Sequence, residues 1–127
     1  MESRIREGEE MLLARRDRDG GWNSGNPNVL NTDSPSYPET TALAMLGLQG
    51  RGGHDLVGTA ERFRTGSKSS LANAWLAIAL RCYGATPPAV EDMRASEDVM
   101  LSALEALGHA EGNYGLLQIP RPERRAA

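Results

Sequence analysis

Ala42-Leu43-Ala44-Met45-Leu46-Gly47-Leu48 carries no polar side chain, and Ala74-Trp75-Leu76-Ala77-Ile78-Ala79-Leu80 is a second stretch of the same kind. Both are far shorter than the ~20 residues that span a bilayer. Each therefore reads as a helix buried on every side within a protein core. Setting Leu43-Ala44-Met45-Leu46 on Trp75-Leu76-Ala77-Ile78 gives a spacing of about 32 residues, which is in the range of helical repeats.

The segments around these two stretches are more polar. The first helix is expected over Ser3–Arg15, with Ile5, Met11 and Leu12 set among Glu and Arg, as on a surface helix. The second starts near Ser36 or Tyr37 and ends at Gly50. Ser36 and Glu39 have the spacing of a capping box, Pro38 suits the first turn, and Gly50, Gly52 and Gly53 stop the helix. A third, Asp55–Arg64, sets Leu56, Ala60 and Phe63 against Glu61, Arg62 and Arg64. The fourth, Ser69–Tyr83, has Asn73 as its one polar residue between Leu71 and Leu80. A short fifth opens at Pro87-Pro88 and reaches Met93. The sixth, Ser96–Leu107, is apolar at Val99, Met100, Ala103, Leu104 and Leu107, with a polar stripe at Asp98, Ser102 and Glu105. Amphipathic and buried segments alternate, which describes helical hairpins with an outer and an inner wall. Leu116–Ile119 is the one stretch with any strand character. The expected class is all-α, with about six helices in a single domain over 1–127, and 120–127 a flexible tail.

Asp17–Tyr37 is rich in Gly, Asn, Pro, Ser and Asp and has neither helical nor strand period. Loops of this length tend to be functional or to fold on themselves, here anchored by Trp22 and Tyr37. Within it, Asp19-Gly20-Gly21-Trp22 precedes the helix opened by Glu39-Thr40-Thr41-Ala42. This arrangement resembles one repeat of the squalene-cyclase and protein-prenyltransferase family, in which a Gln-rich, Gly-Trp-bearing loop joins an outer to an inner helix. Gly112-Asn113-Tyr114 is a fainter echo behind the sixth helix. The resemblance covers residues 5–84 best, and the family's glutamine has no counterpart at Ala14, Arg15 or Arg16. It implies an arc of an α/α toroid.

The resemblance also frames the chemistry. Cyclases of this family protonate an alkene with an Asp-x-Asp-Asp-Thr-Ala motif, which falls here on Tyr37-Pro38-Glu39-Thr40-Thr41-Ala42. Glu39 takes the proton donor's place, but Tyr37 and Thr40 replace the flanking acids. Alkene protonation requires a strong acid supported by such neighbours. The plainer role of Glu39 is to pair with Ser36 in the capping box. The prenyltransferase branch holds zinc with Asp, Cys and His. Here Cys82 lies in a buried helix and the histidines are His54 and His109, so neither a metal nor a cofactor is expected. Asp17-Arg18-Asp19-Gly20 lacks the remaining ligands of a calcium loop and reads as a polar turn.

The composition limits the remaining classes. Net charge is −3, and the basic residues Arg121, Arg124 and Arg125 are terminal, so no nucleic-acid face is expected. One cysteine excludes an intrachain disulfide. The charged N-terminal segment does not resemble a signal peptide, and a cytoplasmic protein without membrane attachment is the default. The candidate ligand-binding residues are Trp22, Tyr37, Glu39, Met45, Asn73 and Trp75, with Glu39 the candidate catalytic acid. Core packing for Met45 and Trp75, and a loop-carbonyl bond for Asn73, are their simpler roles.

The leading expectation is a non-catalytic or degenerate repeat protein that binds an isoprenoid-like apolar ligand or a protein partner. The alternatives are an active terpene-processing enzyme, with Trp22, Tyr37 and Trp75 as cation-stabilising faces, and a purely structural scaffold. Too few hairpins are present to close a ring, and the buried-type helices need protein on both flanks. A homodimer, or association with a further toroid segment, is therefore expected.

Overall fold

The structure is a computed structural model and describes residues 1–51, 55–90 and 98–120. Five α-helices are present among them: α1 (Glu2–Ala14), α2 (Pro38–Gly47), α3 (Asp55–Gly66), α4 (Ser70–Cys82) and α5 (Val99–Leu107). A two-stranded hairpin, β1 (Asn28–Val29) and β2 (Thr32–Asp33), lies between α1 and α2, and a 3₁₀ turn spans Tyr114–Leu117. The class is all-α.

The centre of the fold is α4. Its Leu76, Ala79 and Leu80 pack with Met45, Leu48, Leu56 and Ala60 from α2, its C-cap and α3. Its Ala74, Ile78 and Cys82 pack with Leu104 of α5. Leu46 and Trp75, both half-buried, touch both clusters. The two apolar helices run parallel. At their starts, the Ser69 hydroxyl donates to the Glu39 carboxylate at 3.3 Å. At their ends, the Tyr83 hydroxyl donates to the Met45 carbonyl at 2.6 Å. The intervening α3 packs against both of them.

Capping follows side-chain chemistry at α4 and α5. Ser69 accepts from the Ala72 amide at 3.2 Å, and Asp98 accepts from the Leu101 amide at 2.9 Å. The start of α2 differs from expectation. Its N-cap is Tyr37 and no side chain caps it; Pro38 at the first position removes one unpaired amide instead. Ser36 and Glu39 therefore form no capping box. The Ser36 hydroxyl is drawn to Asp17 and Asp19, and the Glu39 carboxylate turns to Ser69.

Several further expectations are corrected. The 17–37 loop contains a hairpin, with Asn28 opposite Asp33 and Val29 opposite Thr32. Leu30 (φ 52°) and Asn31 (φ 61°) make the two-residue left-handed turn that suits strand twist. Asparagine tolerates that conformation and leucine does so rarely, so the Leu-Asn pair was a poor signal. The Tyr37 side chain is half exposed and does not anchor the loop; its backbone amide does, donating to the Trp22 carbonyl.

The helix expected from Pro87-Pro88 is absent over 85–90, where the chain is irregular. Proline disfavours helix in the residue before it, and the Pro88 carbonyl is held by Arg64. The remainder of that expected helix, 91–93, lies outside the described residues. So do Ser96 and Glu97 at the start of the sixth segment, residues 52–54 with His54, and the terminal 121–127. Leu116–Ile119 pairs with no strand.

Two faces are also reassigned. On α2, Leu43 is 49% exposed, so this helix is not buried on every side. On α5, Leu101, Leu104 and Leu107 face the core, and Val99 and Met100 face solvent. No helix among the described residues is long and apolar enough to cross a membrane.

Candidate functional site

The Gly-Trp loop is built into the core. Trp22 is 3% exposed; its indole N–H donates to the Leu12 carbonyl at 2.7 Å, and its amide donates to Thr41 Oγ1 at 3.0 Å. Thr40 Oγ1 returns a bond to the Trp22 carbonyl at 2.6 Å. The loop thus locks α1 to the first turn of α2 through backbone groups and the Thr40-Thr41 pair. Arg16 reinforces the lock from outside. Its guanidinium lies over the Trp22 ring at 5.4 Å, donates to the Gly20 carbonyl, and pairs with Asp55 at 2.6 Å.

Gly20 and Gly21 make the close approach possible. Gly20 has φ +95°, outside the range open to most side chains. At Gly21 a Cβ would stand 2.5 Å from Thr41 Oγ1 and 2.6 Å from Phe63 Cε2.

Behind this turn, Ser36 sits between two carboxylates. Its hydroxyl is 2.8 Å from Asp17 Oδ2 and also contacts Asp19 Oδ1, while its amide donates to Asp19 Oδ2. Burial pushes the Asp19 carboxyl up. The Ser36 and Gly21 hydrogen bonds and the charge of Arg62 outweigh it and hold the group below the ordinary carboxylate range. Among the described residues, no group of three or more His, Cys, Asp and Glu could hold a metal ion.

Glu39 and Asn73 are each bonded to Ser69 at a second place, the corner where α2 and α4 begin. Glu39 is half-buried on the Ser69 hydroxyl, and the Asn73 amide group donates to the Ser67 carbonyl at 3.1 Å. That is the loop-carbonyl bond expected of Asn73. Its Oδ1 is buried without a partner. Arg64 completes the corner. It is 7% exposed, with Nη1 donating to the Asn73 carbonyl at 2.5 Å and Nε donating to the Pro88 carbonyl at 2.8 Å. Burial and the nearby charge of Arg81 push its guanidinium below its ordinary value.

The six candidate ligand-binding residues therefore fall into separate groups. Trp22 and Met45 are core residues, and Trp75 packs half-buried against both clusters. Tyr37 is exposed at the helix cap, and Glu39 and Asn73 share the α2–α4 corner. A small cleft of about 70 Å³ lies at the opposite ends of these helices, between Gln49, Gly50, Cys82 and Tyr83 on one side and 118–120 on the other, and none of the six lines it.

Arg64, Thr41, Ser36 and Gln49 were not among the candidate site residues of the sequence reading. For Arg64 the signal was there: Leu56, Ala60 and Arg64 recur every four residues and share one helix face. Charge alone had placed it on the polar side.

No family model matches the chain, and no curated protein or solved structure matches it.

Proposed function

We propose that this chain is a non-catalytic, degenerate relative of the cyclase and prenyltransferase repeats, and that it works by association rather than turnover. In this reading α2 and α4 are inner-wall helices of a toroid arc. The partner is another helical surface, most simply a second copy, and an isoprenoid-like apolar ligand would lie between the two. The observation that carries the proposal is the uncovered line on α2, where Leu43 is 49% exposed in a helix with no polar residue after Thr41. The single unpaired cysteine fits a cytoplasmic setting.

The chemistry of Glu39 supports binding over catalysis. Its one described hydrogen bond is to a serine hydroxyl, and the nearby loop acids Asp17 and Asp19 are engaged by Ser36. The motif's two flanking acids are replaced here by Tyr37 and Thr40.

Equilibrium sedimentation across the micromolar range tests the association. The expected result is a concentration-dependent dimer that Leu43→Lys converts to monomer with unchanged helicity. A wild-type monomer throughout would refute the proposal. Incubation with squalene and polyprenyl diphosphates, read by mass spectrometry, tests the chemistry. Retention without conversion is expected; turnover that Glu39→Gln abolishes would replace this reading with the enzyme.

A further inference from the structure

The C-terminal ends of α2 and α4 are crossed by the segment 114–120, which is attached in an unusual way. Gln49 grips its backbone at two points. The Gln49 Nε2 donates to the Leu117 carbonyl at 2.8 Å, and Gln49 Oε1 accepts from the Ile119 amide at 2.8 Å. These are alternate backbone groups of the kind a neighbouring β-strand would engage, here served by one side-chain amide. Gln118 adds a bond from its Nε2 to the Cys82 carbonyl at 3.2 Å, and the Cys82 thiol donates to the Tyr114 carbonyl at 3.6 Å.

The apolar side chains of this segment contribute little to holding it down. Leu116 is 82% exposed, Ile119 47% and Leu117 40%. Of its larger side chains, Tyr114 packs half-buried on the α4–α5 cluster. A segment held mainly by a few exposed or partly buried polar bonds belongs to the low-stability end of a fold and opens without global unfolding. Beneath it lie the small cleft and Cys82, which is 4% exposed.

We infer that 114–120 is a detachable strap, latched by Gln49, that controls access to Cys82 and to the cleft at the ends of α2 and α4. With the strap closed, the thiol is shielded as buried cysteines usually are. With it open, the thiol and the C-terminal turns of both inner helices face solvent. This inference does not depend on the association proposed above, because Gln49 and Cys82 are not on the exposed line of α2.

The test is the rate at which a disulfide reagent labels Cys82 in the full chain, measured below the unfolding transition. In the wild type, labelling is expected to be slow and only weakly dependent on urea, because opening the strap exposes little surface. Gln49→Ala removes both latch bonds and is expected to speed labelling by roughly ten- to thirty-fold, from two neutral hydrogen bonds of ordinary strength. Gln118→Ala, which removes one, is expected to give about a fivefold increase. Leu116→Ala, altering an exposed side chain, is expected to leave the rate unchanged. An unchanged rate in Gln49→Ala would overturn the strap. So would wild-type labelling whose urea dependence matches that of global unfolding, because the thiol would then be exposed only when the whole core opens.

Discussion

Replacing Gly21 with alanine tests the central packing of this fold. The added methyl would stand 2.5 Å from Thr41 Oγ1, 2.6 Å from Phe63 Cε2 and 2.8 Å from Ser36 Cβ, all well inside contact distance. These neighbours sit on α2, on α3 and in the loop, so no single rotamer change relieves the clash. Forcing a methyl into a packed site costs roughly 1–3 kcal/mol. Moving Thr41 also loosens the bond from the Trp22 amide, for about 1 kcal/mol more. The expected loss of about 2–4 kcal/mol is a large part of the ~5–15 kcal/mol typical of a domain. In urea, with a slope of about 2 kcal/mol per molar, the midpoint should fall by about 1–2 M. Gly25→Ala is the control: a Cβ there meets nothing within 4 Å, and the midpoint should hold or rise slightly. If Gly21→Ala unfolds within about 0.5 kcal/mol of the wild type, a margin usual for surface substitutions, the loop does not pack against Thr41 and Phe63 as described.

Further outcomes follow from the same contacts. Trp22→Phe removes the indole bond to the Leu12 carbonyl and leaves the core underfilled, and should cost about 2 kcal/mol by thermal or urea unfolding. Arg64→Ala should cost roughly 2 kcal/mol and Arg64→Met less, because methionine keeps the buried stem while losing the bonds to Asn73 and Pro88; equal losses would mean that packing is irrelevant there. Burial, with the neighbouring Cys82 thiol, pushes the Tyr83 hydroxyl up to about 12 from 10. Its proton is then bound more tightly in the folded state, so the contribution of Tyr83 to stability should be constant below pH ~10 and be lost between pH ~10 and ~12. Absorbance titration at alkaline pH should show a late phase that Tyr83→Phe removes.

The sequence announced α4 more faithfully than any other element. Its bounds and its buried character were read from Ser69–Tyr83, and the roughly 32-residue spacing to α2 anticipated two like helices. Their parallel course could be expected only from the hairpin reading. The 17–37 loop was legible as a folded unit but not in detail. Its order comes from Trp22, Thr41 and Ser36, residues separated along the chain, and no local period records such bonds. The Ser36–Glu39 spacing misled because a capping box is a local pattern, and here longer-range partners outcompeted it: Asp17 and Asp19 for Ser36, Ser69 for Glu39. Gln49 was unreadable for the same reason. Its partners, Leu117 and Ile119, lie 68 and 70 residues away.

The contrast between α2 and α4 bears most directly on what the protein does. The central runs of both, 42–47 and 74–80, are apolar around their full circumference, and composition alone assigns both to a core. An apolar run specifies that a helix must be covered, but not how many neighbours the chain supplies. For α4 it supplies α2, α3 and α5, and Leu76, Ile78, Ala79 and Leu80 are all fully buried. For α2 it supplies α3 and α4, with Leu12 of α1 near Gly47, and Leu43 is left half exposed. A leucine in the middle of a helix gains about 1.5–3 kcal/mol on full burial. A lone leucine on a surface signifies little, but this one continues a surface that one copy of the chain covers only in part. A second helical surface laid along Leu43 would give α2 the environment that α4 already has, and for that reason the proposed association is sought at Leu43.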